Sequence, residues 1–193
     1  METSTLSQSV KKIYDSGFYF FTTKTLKDII GEKKESTFFK FIARLIQDKV
    51  LLKIEKNKYL LDNVKINDFE LANFLLVPSY ISFETALNYH GVLSQFPYEA
   101  TSATLKKTNQ KKFQGKIFSY VHIDKSLYWG YRKKDNFLIA NAEKAFLDQM
   151  YLVAKGLKRL SLTEINTSIL KKNILKQYTE QFPKTNQFKA ILE

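Results

Sequence analysis

The chain has 193 residues, of which 44% are hydrophobic, and this is enough apolar material for one ordinary domain or two small ones. Its formal net charge of +12 favours contact with polyanions, such as nucleic acids or an acidic protein surface. The chain has no cysteine, which excludes a disulfide framework and a cysteine-based zinc site. It has two histidines, which disfavours a histidine-based metal site. The N-terminus has no signal-peptide pattern, and no apolar run reaches the roughly 20 residues of a bilayer span, so we expect a cytoplasmic protein without membrane contact.

The first 62 residues predict three helices, with a short apolar run between the first two, followed by a β-hairpin. Apolar residues at helical spacing predict an amphipathic first helix that ends at Gly17. These residues are Leu6, Val10, Ile13 and Tyr14. After the run FYFFT, we expect Thr25 to cap the second helix and Gly31 to end it. This order of elements predicts a first domain in residues 1–62.

The third predicted helix covers residues 35–47. Its residues Phe38, Ile42 and Leu45 repeat at the spacing of a core-facing stripe. The opposite face carries polar side chains of the kinds that hydrogen-bond phosphates and base edges. These are Ser36, Lys40, Arg44 and Gln47. Such residues are also typical of any solvated helix face, so the stripe alone leaves both interpretations open.

A basic hairpin follows the third helix. The segments LLKIE and KYLL alternate like strands and flank Lys56 and Asn57, and asparagine tolerates the positive φ of a tight turn. Three helices followed by such a hairpin are the outline of a winged helix-turn-helix, whose third helix enters the major groove of duplex DNA. Lys53, Lys56 and Lys58 of the wing are then expected to contact the flanking phosphates. Residues 1–67 carry 13 basic and 8 acidic side chains, a net charge of +5, so we expect few contacts and binding as more than one copy.

Residues 68–193 predict a second domain that mixes helices with a small sheet and ends in a helical segment. The polar stretch NVKIND links it to the first domain. A helix capped by Ser82 precedes the β-type segments YEATSATL, KIFSYVHI, YWGYR and NFLIA. Asn141 then caps a strong helix, AEKAFLDQMYLVAKG, and the residues from SLTEI onward predict helical pieces that break near Asn173 and Pro183. The predicted fold class is α+β, a winged helix-turn-helix followed by a mixed α/β domain.

Several motifs in residues 78–152 carry a resemblance to a known family. They are PSYISFETALNYHGV, YEATSATLKK, FQGKIFSYVHI, YWGY and IANAEKAFLDQMYL. In this order, and with the N-terminal hairpin that ends in KNKYLL, they resemble the AbiEi antitoxins of type IV abortive-infection toxin-antitoxin modules, which act in phage defence. The resemblance implies an N-terminal domain that represses its own operon by binding inverted repeats in the promoter. It also implies a C-terminal domain that counteracts a partner toxin of the nucleotidyltransferase type, with or without a stable complex.

Basic residues of the second domain concentrate in residues 101–134, which hold nine basic side chains and one acidic side chain. We expect this segment to form an antitoxin or nucleic-acid surface that binds the toxin or the toxin's RNA target. Its candidate residues are Lys106, Lys107, Lys111, Lys112, Lys116, Arg132, Lys133 and Lys134. Aromatic residues interleaved with them are able to stack on bases, but aromatic residues in strands are also typical of a core, and both interpretations stay open.

Glu143, Lys144 and Asp148 raise the possibility of an enzyme, but their spacing does not form a catalytic or metal-binding set, so we expect a protein that is not an enzyme and uses no metal or cofactor. Lys144 and Asp148 are spaced for an ion pair on one predicted helix, and Glu143 is not spaced to form a carboxylate pair with Asp148. Glycine-rich phosphate-binding motifs are absent from the sequence. Two alternatives to a DNA-binding antitoxin remain. One is an RNA- or toxin-binding adaptor without sequence-specific DNA recognition, and the other is a metal-dependent nuclease.

Overall fold

The computed structural model describes residues 6–31, 34–158 and 164–192. The chain combines helices and β-sheets, so the predicted mixture of α and β structure is confirmed at the level of fold class. It divides into two compact units, residues 1–66 and residues 67–193, which we call unit 1 and unit 2. Within the described ranges, no helix is both long enough and apolar enough to cross a membrane.

The described residues of unit 1 form three helices and three short strands. They are α1 (Leu6–Asp15), β1 (Phe20–Thr22), α2 (Thr23–Ile30), α3 (Glu35–Gln47), β2 (Leu51–Glu55) and β3 (Lys58–Leu61). The strands form an antiparallel sheet in the order β1-β3-β2, because the hairpin of β2 and β3 pairs its second strand with β1. The bounds of α3, β2 and β3 are those that the sequence predicts, and Asn57 has the expected positive φ of 62° in the turn.

The core of unit 1 lies between the helices and the sheet. Phe38, Ile42 and Leu45 are buried in it, which confirms the predicted inner stripe of α3. Ile13 of α1 is also buried, but Tyr14 is 53% exposed and was wrongly included in the apolar stripe of that helix. The spacing of Tyr14 from Ile13 places its side chain on a different face, because successive helical residues point about 100° apart.

The start of α2 also differs from the prediction. The capping residue is Thr22 and not Thr25, and the hydroxyl of Thr22 accepts a hydrogen bond from the backbone N–H of Thr25 at 3.1 Å. β1 ends at Thr22, whose extended backbone is the conformation that an N-cap residue requires, so the strand passes directly into the helix. Gly31 ends α2 as predicted, with a φ of 95°.

Unit 2 contains six strands and five helices within the described ranges. In chain order they are α4 (Asp68–Leu75), β4 (Ser79–Ile81), α5 (Phe83–Tyr89), β5 (Ala100–Thr104), β6 (Asn109–Phe113), β7 (Lys116–His122), β8 (Tyr131–Lys134), β9 (Phe137–Ala140), α6 (Ala142–Ala154), α7 (Lys172–Thr179) and α8 (Asn186–Leu192). The strands form one mixed sheet in the order β6-β7-β5-β4-β9-β8, with parallel pairs β5/β7 and β4/β9.

Helices cover both faces of this sheet. Neighbouring positions on β4, β5 and β7 place Tyr80 and Tyr120 on opposite faces, because side chains alternate along each strand. The Tyr120 hydroxyl donates to the carbonyl of Ala72 in α4 at 2.6 Å, and the Tyr80 hydroxyl donates to Asp148 in α6 at 3.0 Å. Unit 2 is therefore a three-layer arrangement in which α4 packs on one face and α5 and α6 pack on the other.

Candidate nucleic-acid interface

The polar stripe of α3 lies on the surface of unit 1. Ser36, Lys40, Arg44 and Gln47 are all exposed on the side of the helix opposite its buried residues. Arg44 points its Nε towards Asp48 at 3.6 Å, but its side chain remains 66% exposed. Lys40 forms no ion pair within the described part of the chain. The structure thus brings all four predicted residues onto one accessible face.

The hairpin turn is attached to the first turn of α2. The backbone N–H of Thr23 donates to the carbonyl of Asn57 at 3.1 Å, and the Thr23 hydroxyl donates to the Asn57 side-chain oxygen at 3.2 Å. Lys53 and Lys56 are exposed, whereas Lys58 is half-buried and pairs with Glu55 at 2.7 Å. The hairpin therefore offers two open cations at a fixed position beside the helices.

Two cations of α2 were not predicted from the sequence. A cavity of about 490 Å³ separates the start of α2, the start of α3 and the hairpin turn, and Lys24 and Lys27 line it together with Phe39 and Asn57. Lys24 is exposed, and Lys27 holds its ammonium 5.4 Å from the centre of the Phe38 ring. No sequence signal distinguishes these lysines from solvated ones. Their position beside the hairpin turn follows from the hydrogen bonds between Thr23 and Asn57.

The predicted basic surface of unit 2 divides into two groups. Lys106, Lys107, Lys111, Lys112 and Lys116 lie on β6, at the start of β7 or in the connection before β6. Arg132, Lys133 and Lys134 lie on β8. β6 and β8 are the two edge strands of the sheet, so five strand spacings, or roughly 24 Å, separate them. The basic residues are close together in the sequence, but they form two separate surfaces in the structure.

An ion pair and partial burial lower the number of cations that the first of these groups offers to a ligand. Lys116 donates to both carboxylate oxygens of Asp68 at 2.7 Å, and Lys111 is half-buried. The second group is exposed along its whole length, from Arg132 to Lys134. Charged side chains on edge strands also prevent edge-to-edge aggregation, which gives these residues a structural role in addition to any binding role.

The interleaved aromatic residues of unit 2 point inward. Tyr131 stacks on Tyr80 with ring centres 4.6 Å apart, Tyr128 packs on both of these rings, and Trp129 packs against Tyr178 and Phe182. This arrangement favours the interpretation of these residues as core and not as base-stacking platforms. Other aromatic side chains of unit 2 do face solvent: Phe96 and Tyr98 are each 90% exposed, and Tyr89 is 42% exposed.

Four polar residues form a buried cluster between the sheet and α6, which we call the ionic centre. They are Tyr80, Ser82, Lys144 and Asp148. Asp148 accepts hydrogen bonds from the Ser82 hydroxyl at 2.8 Å, from the Tyr80 hydroxyl at 3.0 Å and from the ammonium of Lys144. Lys144 also donates to the Tyr80 hydroxyl at 3.1 Å. The predicted ion pair of Lys144 and Asp148 is confirmed, and both side chains are almost completely removed from solvent.

Burial dominates the electrostatics of the ionic centre. Desolvation raises the pKa of Asp148, and the charge and hydrogen bond of Lys144, followed by the two hydroxyls, partly oppose this shift. Desolvation lowers the pKa of Lys144, and the charge and hydrogen bond of Asp148 oppose that change. Desolvation and the carboxylate of Asp148 raise the pKa of Tyr80 well above its usual value. Each charge of the pair therefore depends on its partner.

Two residues predicted to cap helices occupy the N-cap positions, but neither caps its helix with its side chain. Ser82 occupies the N-cap position of α5, but its hydroxyl donates to Asp148 and does not cap the helix. Asn141 occupies the N-cap position of α6, but its side-chain amide donates to the Tyr178 hydroxyl at 3.3 Å. In both cases a tertiary hydrogen bond replaces the local one, and local sequence carries no signal for that exchange.

Aromatic rings and one glycine enclose the Lys144 side chain. Its ammonium lies 5.1 Å from the ring centres of Trp129 and Phe182 and 5.7 Å from that of Tyr80. Gly130 packs against the aliphatic stem of Lys144, and a Cβ atom built on this glycine would meet Lys144 Cγ at 2.8 Å. Gly130 also has a φ of 73°, a conformation that other residues rarely adopt. The segments SYIS, YWGY and EKAFLD thus meet at one point of the fold.

Replacing Gly130 with alanine is expected to lower the free energy of unfolding by about 3 kcal/mol, because the backbone strain and the clash with Lys144 add. Gly115→Ala is the matched control, since Gly115 has a φ of 77° and open space around its Cβ direction. The control is expected to lose about 1–2 kcal/mol from backbone strain alone. Urea unfolding followed by circular dichroism measures both losses, and equal losses would contradict the close packing of Lys144 on Gly130.

Among the described residues, no three histidine, aspartate or glutamate side chains group closely enough to hold a metal ion. His90 is engaged with the backbone, through a contact of 2.8 Å between its Nε2 and the carbonyl of Ala140. No protein-family model matches the sequence, and no curated protein matches it. Function is therefore inferred from the residues and their geometry.

Proposed function

We propose that the chain is a DNA-binding antitoxin that represses its own operon. In this proposal unit 1 is a winged helix-turn-helix domain, with α2 and α3 as the helix-turn-helix and the β2–β3 hairpin as the wing. The observation that carries the proposal is that unit 1 has both an exposed polar stripe on α3 and a basic hairpin, and that hydrogen bonds hold the turn of this hairpin against α2. The order of elements and the sheet order β1-β3-β2 also support it.

The stripe of α3 supplies side chains for the major groove. Arg44 has the planar donor geometry that reads guanine, Gln47 has the amide that reads adenine, and Ser36 and Lys40 bind bases or phosphates. The pair of Arg44 with Asp48 is exposed and contributes little to stability, so Arg44 is able to exchange Asp48 for DNA at small cost. Lys53 and Lys56 of the wing would hold the adjacent phosphates, and Lys58 would contribute less because Glu55 already pairs with it.

The modest charge of unit 1 favours binding in more than one copy. A net charge of +5 over residues 1–67 supports few phosphate contacts, and affinity rises steeply when two domains occupy adjacent half-sites. Inverted repeats in a promoter provide such half-sites in a symmetric arrangement. Unit 2 would then act on a nucleotidyltransferase-type toxin or on its RNA target in a phage-defence module. Its exposed β8 edge, from Arg132 to Lys134, is the more accessible of its two basic groups.

A second candidate is an RNA- or toxin-binding adaptor without sequence-specific DNA recognition. The observation that favours it is the presence of cations at both edges of the unit 2 sheet, which suits a partner other than one straight duplex. In this case unit 1 would serve as an interaction scaffold.

A binding competition separates the two candidates. The full chain is titrated with a duplex from the region upstream of its own gene, a shuffled duplex of equal length, and a single-stranded RNA, each over a series of salt concentrations. An autorepressor is expected to prefer its own duplex at least about 100-fold over the shuffled one at physiological salt. Equal affinity for both duplexes, with a preference for RNA, would contradict the DNA-binding proposal and favour the adaptor.

A further inference from the structure

The C-terminal helices of unit 2 enclose an apolar groove that the proposed function does not use. The groove has a volume of about 860 Å³ and lies between α6, α7, α8 and the residues that precede α7. Apolar side chains form its floor. They are Phe146, Ile165, Leu170, Leu175, Phe182 and Phe188. Leu175 and Ile165 are half-buried and provide apolar surface that is open to a ligand, whereas the phenylalanines are almost completely buried beneath them.

The rim of this groove is strongly basic. Among the lining side chains that the structure describes, four exposed lysines surround the apolar floor and Glu180 is the one acidic residue. The lysines are Lys172, Lys176, Lys184 and Lys189. Within the described part of the chain, no ion pair neutralises them. A groove that combines an apolar floor with a rim of three net positive charges favours a ligand that is apolar on one side and acidic on its flanks.

The distribution of these lysines selects among such ligands. A fatty acid or another single-headed amphiphile carries one charge, which cannot pair with four lysines spread over α7, α8 and the turn between them. A nucleic-acid backbone would pair with the lysines but would leave the apolar floor unused. A second copy of this chain is itself strongly basic, with a net charge of +12, and would be repelled. An acidic amphipathic helix satisfies both features, because its apolar stripe fits the floor and its flanking carboxylates face the rim.

We propose that this groove binds an acidic amphipathic helix of a partner protein. The helix would place two or three apolar side chains, at spacings of three and four residues, over Leu175 and Ile165. Glutamate or aspartate on its two flanks would meet Lys172 and Lys176 on α7 and Lys184 and Lys189 on the other side. This assignment gives the last part of the chain a role, and it does not depend on whether unit 1 binds DNA.

The test uses the full chain and a defined probe. The probe is a fluorescein-labelled, helix-stapled peptide with a leucine stripe and glutamates on both flanks, and the control peptide has the same composition with the leucines scattered around the helix. Fluorescence anisotropy is expected to give saturable binding of the striped peptide with a Kd below about 100 µM, and binding of the scattered peptide at least about tenfold weaker. Equal binding of the two peptides, or no saturable binding of the striped one, would overturn the proposal.

Variants locate the site. Leu175→Gln removes apolar floor at a half-buried position, and Lys172→Gln with Lys176→Gln removes two rim charges. Each variant is expected to weaken the striped peptide about fivefold or more, and the rim variant should lose its effect at high salt. The control is Lys11→Gln with Lys12→Gln, which removes two exposed charges from α1 and should leave binding unchanged. A variant whose thermal melting shows loss of folding is replaced by Ile165→Gln or by Lys184→Gln with Lys189→Gln.

Two competitors test the other occupants. Dodecanoate and a single-stranded RNA of about 20 nucleotides are added to the complex of the chain with the striped peptide. Weak competition by both is expected. Displacement by stoichiometric dodecanoate would instead identify a small-amphiphile site. Displacement by the RNA, together with an unchanged affinity of the Leu175→Gln variant, would identify a phosphate-binding surface, and either result would overturn the proposal.

Discussion

Replacing Lys144 with methionine is expected to lower the free energy of unfolding by about 3–5 kcal/mol, because Asp148 would remain as a buried carboxylate without a cation. The two hydroxyls that donate to Asp148 cannot replace the charge of Lys144, since burial already raises the pKa of this carboxyl group. The loss is measured by urea unfolding of the full chain, with the unfolding of unit 2 followed through the fluorescence of Trp129, the single tryptophan of the sequence.

The matched control is an exposed ion pair with the same spacing of four residues. Arg44 lies on α3 and Asp48 directly follows that helix, and both side chains are exposed. Arg44→Met is therefore expected to change stability by no more than about 0.5 kcal/mol. The double variant Lys144→Met with Asp148→Asn should recover at least about 1 kcal/mol relative to Lys144→Met, because asparagine is neutral and still accepts hydrogen bonds. A loss below about 1 kcal/mol for Lys144→Met would contradict a buried, coupled pair.

Local periodicity was sufficient to predict α3 and the hairpin of unit 1. The stripe of Phe38, Ile42 and Leu45 fixed both the bounds and the inner face of α3, because a helix of this length with one apolar stripe has one way to bury it. The strands of the hairpin followed from their alternation and from Asn57 in the turn. The N-cap role of Thr22 does not follow from the sequence pattern, because β1 ends at this residue and passes into α2 without an intervening loop.

Unit 2 was harder to predict because tertiary contacts determine its details. β4 has three residues and β6 is almost entirely polar, so neither carries a clear strand pattern. The ionic centre joins residues up to 68 positions apart in the sequence, as in the hydrogen bond from Tyr80 to Asp148, and no local pattern predicts such a contact. The basic residues of segment 101–134 looked like one surface because sequence distance hides the position of each strand in the sheet.

The ionic centre also changes how the motifs of unit 2 are understood. Three of the segments that carry the resemblance, SYIS, YWGY and EKAFLD, supply the members of this centre or enclose it. Both charged side chains of the centre are inaccessible to a ligand, because the side chain of Lys144 is 0% exposed and that of Asp148 is 1% exposed. We infer that these segments preserve the packing of α6 on the sheet. Binding in unit 2 is then expected on the exposed β8 edge and in the C-terminal groove.

Replacing Lys40 and Arg44 together with alanine is expected to weaken binding to the promoter duplex at least about 30-fold, which corresponds to roughly 2 kcal/mol, because a base-reading arginine contributes about 1–3 kcal/mol alone. The logarithm of the affinity falls linearly with the logarithm of the salt concentration, and the magnitude of this slope should decrease by about two if both residues contact phosphates. It should decrease by less if Arg44 reads a base. Stability should not change, since both side chains are exposed.

The control for this experiment removes the same charge from another helix. Lys11→Ala with Lys12→Ala takes two exposed cations from α1, and it should weaken the promoter duplex only a few-fold through the long-range field. Gln47→Ala and Ser36→Ala provide a finer distinction, because loss of a base contact lowers the preference for the promoter over a shuffled duplex, whereas loss of a phosphate contact weakens both equally. If the α1 variant and the α3 variant lose the same affinity, the polar stripe of α3 is a solvated face and DNA binding must be sought on another surface.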